Sequence, residues 1–599
     1  MQSYLRLLPL LLLPFLCTCD RAQESQLVTE SNSQVVRGSE SQGVGEEPRL
    51  PNILFILTDD QGVGDLSLHG NDSIQTPNMD ALLRSSAQFS RFYVSPVCAP
   101  TRASFLSGLY APRTGAVFVT RRHETMDDGI MTIPEYLRHA EYRTGLFGKW
   151  HNGATAPYDP GSQGFEQFLG FTLGHFNDYF NGELQNEKNE LVPFNGDLTQ
   201  ILTDTASHFM LRESPYPFFC MLSYQAPHTP VQVADKYWDN VKKRGLTDYN
   251  TGIYAMIESV DDRIGQLLDR LEKAGELDNT VVVFSTDNGP NGDRYRMGLK
   301  GTKGQVDEGG VRVPFGIRMP GNHPANGKVF DTPAAHIDLV PTLLQLVDLP
   351  IPEQLDGRSL LPLLEDEEGA GVSRMIYTFK QGYEFSPWPG SMRNGHSLYV
   401  RRTETEHELY DLLADPEQRH NLANVNQEQV EGFAEEYAAF AATVARPDLV
   451  APPIDLDATW GPVRLLAHEG EATSPTQFSE KNGWANDYFE MVWGGHASWP
   501  IKNSEDRTYR ATVRYHNETG KGASLVLTID NGDKFSFSLS PIQSELITVA
   551  DRVKRKEVYP RTWAEISVDI EVPAGAKGLS LYTYEPKGIW IKEVSLRRQ

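Results

Sequence analysis

The sequence predicts an α/β protein in which a central, mostly parallel sheet is flanked by helices, followed by a smaller α+β segment and an all-β tail. Three observations carry that reading. First, NILFILTDD from Asn52 and TVVVFSTDNG from Thr280 are apolar without alternation and end in polar residues, the pattern of strands buried on both faces. Second, Ile253, Met256, Ile257, Val260, Ile264, Leu267, Leu268 and Leu271 recur at helical spacing just before the second run. A helix leading into a buried strand is the repeating unit of such sheets. Third, from about Pro452 the character changes. YRATVRYHN, ASLVLTIDNGDKFSFSLS and AEISVDIEV alternate polar with apolar, and Asp530-Asn531-Gly532 supplies a hairpin turn.

The 599 residues exceed what one core supports, so several structural units are expected. We place them at 50–350 for the α/β unit, 351–450 for the smaller segment and 455–599 for the β-sandwich. The first boundary follows Leu349-Pro350-Ile351-Pro352, and HELYDLLADPEQRHNLA marks the second unit. A net charge of −25 argues against a nucleic-acid partner, because counterion release needs many Lys and Arg. An anionic substrate would have to be drawn in by local cations.

The N-terminus opens MQSYLRLLPLLLLPFLCTCD. Arg6 precedes an apolar run of roughly ten residues, shorter than the roughly 20 of a membrane span. Residues 1–19 therefore read as a signal peptide. Leu16-Cys17-Thr18-Cys19 loosely resembles a lipoprotein cleavage box, so a membrane association would run through a lipid on Cys19. Residues 20–49, rich in Ser, Gln, Glu, Val and Gly without periodicity, read as a disordered linker. The expected location is outside the cytoplasm: periplasmic, anchored in the outer membrane, or secreted. Only Cys98 and Cys220 remain in the body, and the sequence is read without a disulfide between them.

In doubly wound sheets reactive groups gather beyond the carboxyl ends of the strands. Asp59, Asp60, Asp287 and Asn288 all stand there. They offer only oxygen, which suits Ca²⁺ or Mg²⁺ and not a soft metal. Cations occupy turns elsewhere: Arg102 four residues past Cys98, Lys149 and His151 in FGKWH, His228 in SYQAPHTP, and Lys303 in KGTKGQVDEGG. Singly, each reads as a surface Lys or a hydrogen-bonded core His. Together with a hard cation they make a site for a tetrahedral oxyanion, with two groups able to move protons near neutral pH.

These residues resemble a known family. SPVCAPTRASFLSG is similar to the Cys-x-Pro-x-Arg signature of the sulfatases. NILFILTDD, TPNMDALL, TGLFGKWH, APHTP, STDNG and KGTKGQVDEGGVRVP resemble its other landmarks in order, from about residue 50 to about residue 425. Two positions depart from the pattern: Glu141 stands where Gly is usual, and Asn152 where Leu is common. The resemblance implies an alkaline-phosphatase-like fold and a sulfuric ester hydrolase. It implies that a maturation enzyme oxidises Cys98 to formylglycine, whose hydrate attacks sulfur and later expels sulfate by elimination. It implies a Ca²⁺ ion, or Mg²⁺, held by Asp59, Asp60, residue 98, Asp287 and Asn288. Arg102, Lys149, His228 and Lys303 would bind the sulfate, His228 with Lys303 would protonate the leaving alcohol, and His151 would take a proton from the second hydroxyl. A sulfated polysaccharide or oligosaccharide is the expected substrate. The alternatives are a phosphodiesterase or phosphonate monoester hydrolase of the same superfamily, or an inactive sulfatase-like glycan-binding protein. Six of the nine tryptophans fall in the tail. Most of them are expected to fill the core of the sandwich. Trp484, Tyr488, Trp493 and Trp499, in a Gly-rich stretch, are read with Lys554, Arg555 and Lys556 as a weak glycan-binding surface, the alternative being a tail that is purely a structural lid on the catalytic domain.

Overall fold

The strand β1 (Asn52–Thr58) divides its side chains between two cores. Ile53, Phe55 and Leu57 enter one, and Leu54 and Ile56 the other. This alternation explains an unbroken apolar run: both faces of the sheet are covered by helices, so no position is left for a polar side chain. The computed structural model describes residues 49–599, apart from 368, 372, 381, 384, 447–450, 459–460, 480–486, 531, 543–550 and 555–561. The signal, Cys17, Cys19 and the linker up to residue 48 lie outside the described residues, as do Trp460, Trp484, Arg555 and Lys556. Leu50–Gln599 form one compact unit.

Five further elements position the site: α1 (Cys98–Ser107), β2 (Arg143–Lys149), β3 (Phe218–Ser223), α2 (Asp248–Lys273) and β4 (Thr280–Thr286). In the ten-stranded sheet they run β4–β1–β3–β2, all parallel. Gln167–Phe171 continues the parallel set beyond β2, whereas Gly316–Arg318 joins β4 antiparallel. The apolar stripe of α2 is buried as its spacing requires, with Leu268 only partly covered. Cys220 is enclosed in the same core, and Cys98 and Cys220 are both free. Among the described residues, no helix is long and apolar enough to cross a membrane.

A four-stranded antiparallel sheet follows (Met375–Phe379, Gly390–Asn394, Ser397–Arg401, His407–Asp411), covered by the helix Gln427–Val444. Ion pairs tie it to the KGTKGQVDEGG segment. Glu308 accepts from Arg393 Nε at 2.8 Å with both side chains 1% exposed, and Asp307 accepts from Arg402 Nη1 at 2.8 Å.

The tail contains, among the described residues, two six-stranded sheets packed face to face on a single apolar core. Ala523–Ile529 and Lys534–Leu539 pair antiparallel across the expected turn. The aromatic reading of this tail needs correction. Trp499 is fully buried, its indole N–H donating to Leu466 O at 2.7 Å, and Tyr488 is buried beside Trp563 and Trp590. Strand His496–Lys502 alternates, so Trp499 points inward with Ala497 and Ile501. Trp493 alone of the described members of that stretch is open, at 66% exposure.

The two departures from the family pattern have local explanations. Glu141 adopts φ 61°, the left-handed backbone that glycine takes without steric cost, one residue past the end of helix Ile133–His139 and its cap Ala140. Asn152 is buried, and its amide donates to Ala99 O at 3.0 Å and Glu124 O at 3.3 Å, so a polar group stands where an apolar one would serve. Glu141→Gly should therefore stabilise the protein by about 0.5–1 kcal/mol, strain relief outweighing chain entropy. A lowered midpoint of chemical denaturation would contradict that account.

Candidate active site

Strands β1 and β4 pair in register to their last residues, Thr58 opposite Thr286. Asp59-Asp60 and Asp287-Asn288 consequently leave the sheet side by side. The Asp60 amide donates to Asp287 Oδ1 at 3.2 Å, and Asn288 Nδ2 donates to Asp60 Oδ1 at 2.7 Å. All four side chains are buried, and Asp60 holds a left-handed backbone at φ 67°. Buried anions need counter-charges, and three cations provide them. Lys149, the last residue of β2, donates to Asp59 Oδ2 at 2.7 Å. Lys303 lies 2.6 Å from Asp60 Oδ1. Arg102, on α1, donates from Nε and Nη2 to Asp287 Oδ2 at 3.0 and 2.7 Å, and from Nη1 to Ser223 Oγ at 2.6 Å and Lys149 O at 3.2 Å. The sequence reading put Arg102 on the substrate. With these donors committed to protein partners, it braces the site instead.

Three oxygens remain without hydrogen-bond partners although buried: Asp59 Oδ1, Asp60 Oδ2 and Asn288 Oδ1. Buried oxygens are rarely left so unless something else fills them. Their hard, oxygen-only chemistry fits Ca²⁺ or Mg²⁺. Among the described residues, the His, Cys, Asp and Glu atoms that gather within 4.8 Å are those of Asp59, Asp60 and His228. Asp287 and Cys98, both expected among the ligands, stand outside that tightest group. One Asp287 oxygen is drawn to Arg102 and the other to the Asp60 amide.

Charge follows the same geometry. Burial works against ionised Asp60, yet the Lys303 ammonium and His228 hold its pKa below the ordinary carboxylate value. Burial and the Asp59 charge raise Asp287. Lys303 is raised despite burial because Asp60 and its neighbours favour its charge. Cys98 opens α1 and is buried, and that burial raises its thiol pKa against the pull of Lys149 and Lys303. The sulfur is thus not poised as a thiolate nucleophile.

The two histidines differ in the nitrogen they present. His151 sits at φ 69° just beyond β2, and its Nε2 bonds Val119 O at 3.0 Å. A carbonyl only accepts, so Nε2 carries the proton and Nδ1, buried without a partner, keeps its lone pair. Burial and Lys149 push its pKa well down. His228 is fixed through Nδ1 to Thr229 O at 2.8 Å, with Nε2 3.8 Å from Asp60 Oδ2. Burial and Lys303 lower its pKa to about 4.

All ten candidate residues converge beyond the same strand ends. Others were missed by the sequence reading. Ser223 bridges Arg102 and the Lys149 carbonyl. Arg294, paired with buried Asp65, donates to Asp60 O at 2.5 Å. His175 stacks on His228 with centroids 5.6 Å apart. Gly174 clears space, since a Cβ there would stand 2.6 Å from His151 Nε2. No local motif marks Ser223 or His175; they are found only by folding the chain.

Residues 51–349 match the sulfatase family, and residues 302–436 match the N-sulphoglucosamine sulphohydrolase C-terminal family. The human N-acetylgalactosamine-6-sulfatase is 31% identical over 376 residues, covering 56% of this chain and 70% of that protein. The chain belongs to the sulfatase family. Another sulfatase relative, the ulvan-active sulfatase of Formosa agariphila, is 29% identical over 409 residues, covering 63% of this chain and 78% of that one. The solved structure of Ps i-CgsB in complex with k-i-k-neocarrahexaose superposes with a TM-score of 0.62 at 28% identity, covering 67% of this chain and 94% of that one. Together the two family matches reach residue 436, ahead of the sandwich.

Arg102→Ala leaves Asp287 buried beside Asp59 without its counter-charge. Loss of one partner of a buried pair costs about 3–5 kcal/mol. That should appear as a large fall in unfolding midpoint, and an unchanged midpoint would show that the pair does not brace the site.

Proposed function

We propose that this sulfatase removes sulfate from a sulfated saccharide, using formylglycine at position 98 and a divalent cation, Ca²⁺ or Mg²⁺. The observation that carries the reading is the set of partnerless buried oxygens on Asp59, Asp60 and Asn288, flanked by Lys149, Lys303 and Cys98. Asp59, Asp60 and Asn288, with Asp287, would hold the cation. When bound, the cation lowers the pKa of the attacking hydroxyl and withdraws charge from the sulfate, and the hydrated aldehyde supplies that hydroxyl.

The chain's own residues perform the rest. Lys149 and Lys303 place ammonium groups where the sulfate oxygens gain charge in the transition state. Arg102 fixes Asp287 and the Lys149 backbone, and so sets where those groups stand. With its Nδ1 proton held by Thr229 O, His228 serves as the acid once Nε2 has taken up a second proton from solvent, and that imidazolium gives the Nε2 proton to the leaving oxygen. His151 Nδ1 accepts a proton from the hydroxyl of residue 98. The saccharide reading is supported by relatives named N-acetylgalactosamine-6-sulfatase and ulvan-active sulfatase and by a neighbour solved in complex with k-i-k-neocarrahexaose. Export is inferred from the N-terminal signal, with Cys19 the candidate anchor.

The test is sulfate release from a panel of defined sulfated saccharides by protein co-produced with a formylglycine-generating enzyme. Release is expected, with a mass change at the Cys98 peptide and background activity for Cys98→Ala. Full activity of Cys98→Ala would end the proposal. Chelation should abolish release and Ca²⁺ or Mg²⁺ restore it, whereas restoration by Zn²⁺ alone would contradict the oxygen ligands.

The histidine roles separate by leaving group. His228→Ala should lose about 10²-fold or more on a sugar sulfate and far less on nitrophenyl sulfate, which needs no acid. His151→Ala should be poor on both, and equal losses for His228→Ala on the two esters would show its role is misassigned.

A further inference from the structure

The loop 117–126 runs from the reaction centre to the β-sandwich. At one side Val119 O meets His151 Nε2, and Glu124 O accepts from Asn152. At the other, Glu124 Oε1 lies 2.6 Å from His468 Nε2, and Arg122 Nη1 donates to Pro452 O at 2.9 Å. Between these anchors opens a groove of about 590 Å³. Arg121, Arg122, His123 and Tyr383 form one wall, and Glu469, Glu471 and Phe478 of the sandwich the other.

The chemistry of these walls is specific. Arg121 and Arg122 both hold left-handed backbone, at φ 56° and 65°, a conformation uncommon for non-glycine residues. The Arg121 guanidinium lies 4.2 Å over the Phe478 ring, and Tyr383 meets His123 edge-on at 4.9 Å. Tyr383 is 47% exposed. Glu469 is 4% exposed, and its Oε2 is buried without a hydrogen-bond partner. An acceptor in that state is costly unless a ligand's donor completes it. Burial lifts the Glu469 pKa to about 7, so near neutral pH it can donate as well as accept. Aromatic faces for the C–H side of a sugar ring, a carboxyl group for its hydroxyls and clustered Arg for an anionic substituent together match a charged saccharide. In a chain of net charge −25, a cationic wall runs against the overall field. Only Thr120 separates Val119, at His151, from Arg121, at most about 7 Å of extended chain. The groove is thus within reach of an oligosaccharide whose sulfate occupies the reaction centre.

We propose that this groove is a subsite for a second, anionic sugar unit of the substrate, so that the appended sandwich takes part in choosing the saccharide. The inference rests on the sulfated-saccharide reading above and adds where a longer chain is gripped.

The experiment compares matured full-length enzyme and its variants on nitrophenyl sulfate and on size-fractionated di-, tetra- and hexasaccharides of ulvan, carrageenan and chondroitin 6-sulfate. The wild-type kcat/KM should rise with saccharide length. Tyr383→Ala and Arg121→Ala should each lower the hexasaccharide-to-nitrophenyl ratio about tenfold, the equivalent of one lost stacking or charged contact, and Tyr383→Phe should keep it. Should Arg121→Ala fail to fold, the exposed Tyr383→Ala and His123→Ala carry the comparison. An unchanged ratio in these variants, or no length dependence in the wild type, overturns the subsite while leaving the sulfatase reading intact. Cleavage of nitrophenyl sulfate with none of the saccharides touched overturns the saccharide reading itself.

Discussion

Everything at this site depends on two neighbouring parallel strands ending level with each other. Because Thr58 and Thr286 are register partners, four polar side chains emerge into one small buried volume. That placement is electrostatically unfavourable for the folded chain alone. It is tolerable only because Arg102, Lys149 and Lys303 are brought in from α1, β2 and a distant loop. The cations are therefore consequences of the carboxylates. Close approach between strands serves the same end: at Gly148 a side chain would run into the Ser223 carbonyl, separating β2 from β3 just where Lys149 must reach across.

Much of this was legible in the sequence. The strands announced themselves because burial on both faces removes every reason for polar residues, and α2 because only one of its faces is covered. The clustered carboxylates were legible for a related reason: charged residues directly after an apolar strand must stand at its carboxyl end. What a linear reading cannot deliver is direction. Arg102 was expected to face the substrate, and the fold turns it toward Asp287 and Ser223. Trp499 sat among glycines that suggested a loop, yet strand alternation carried it inward. Ser223, His175 and Gly174 act through neighbours far away in the chain, and no local pattern distinguishes them from ordinary residues.

The C-terminal parts are joined to the α/β unit by unlike means. The four-stranded sheet is bound by a buried pair, Glu308 with Arg393, and a partly buried one, Asp307 with Arg402, so that the segment carrying Lys303 is held from behind. The sandwich is held through polar contacts at several separated places. Arg514 reaches Glu183 at 2.8 Å, Arg552 donates to Val233 O at 2.8 Å, and His468 meets Glu124. Distributed polar contacts of that kind fix an orientation without merging two cores into one.

The bond between His151 and the Val119 carbonyl settles more than a distance. A backbone carbonyl cannot donate, so it dictates which ring nitrogen is protonated and hence which faces the chemistry. Val119 also belongs to the loop that continues into Arg121 and Arg122. Exchanging that loop for one of another length, as an engineer grafting a new specificity would do, moves the carbonyl and lets the imidazole rotate or change tautomer. The proposed recognition and proton handling share one stretch of main chain, so a graft that improves the first can silently disable the second.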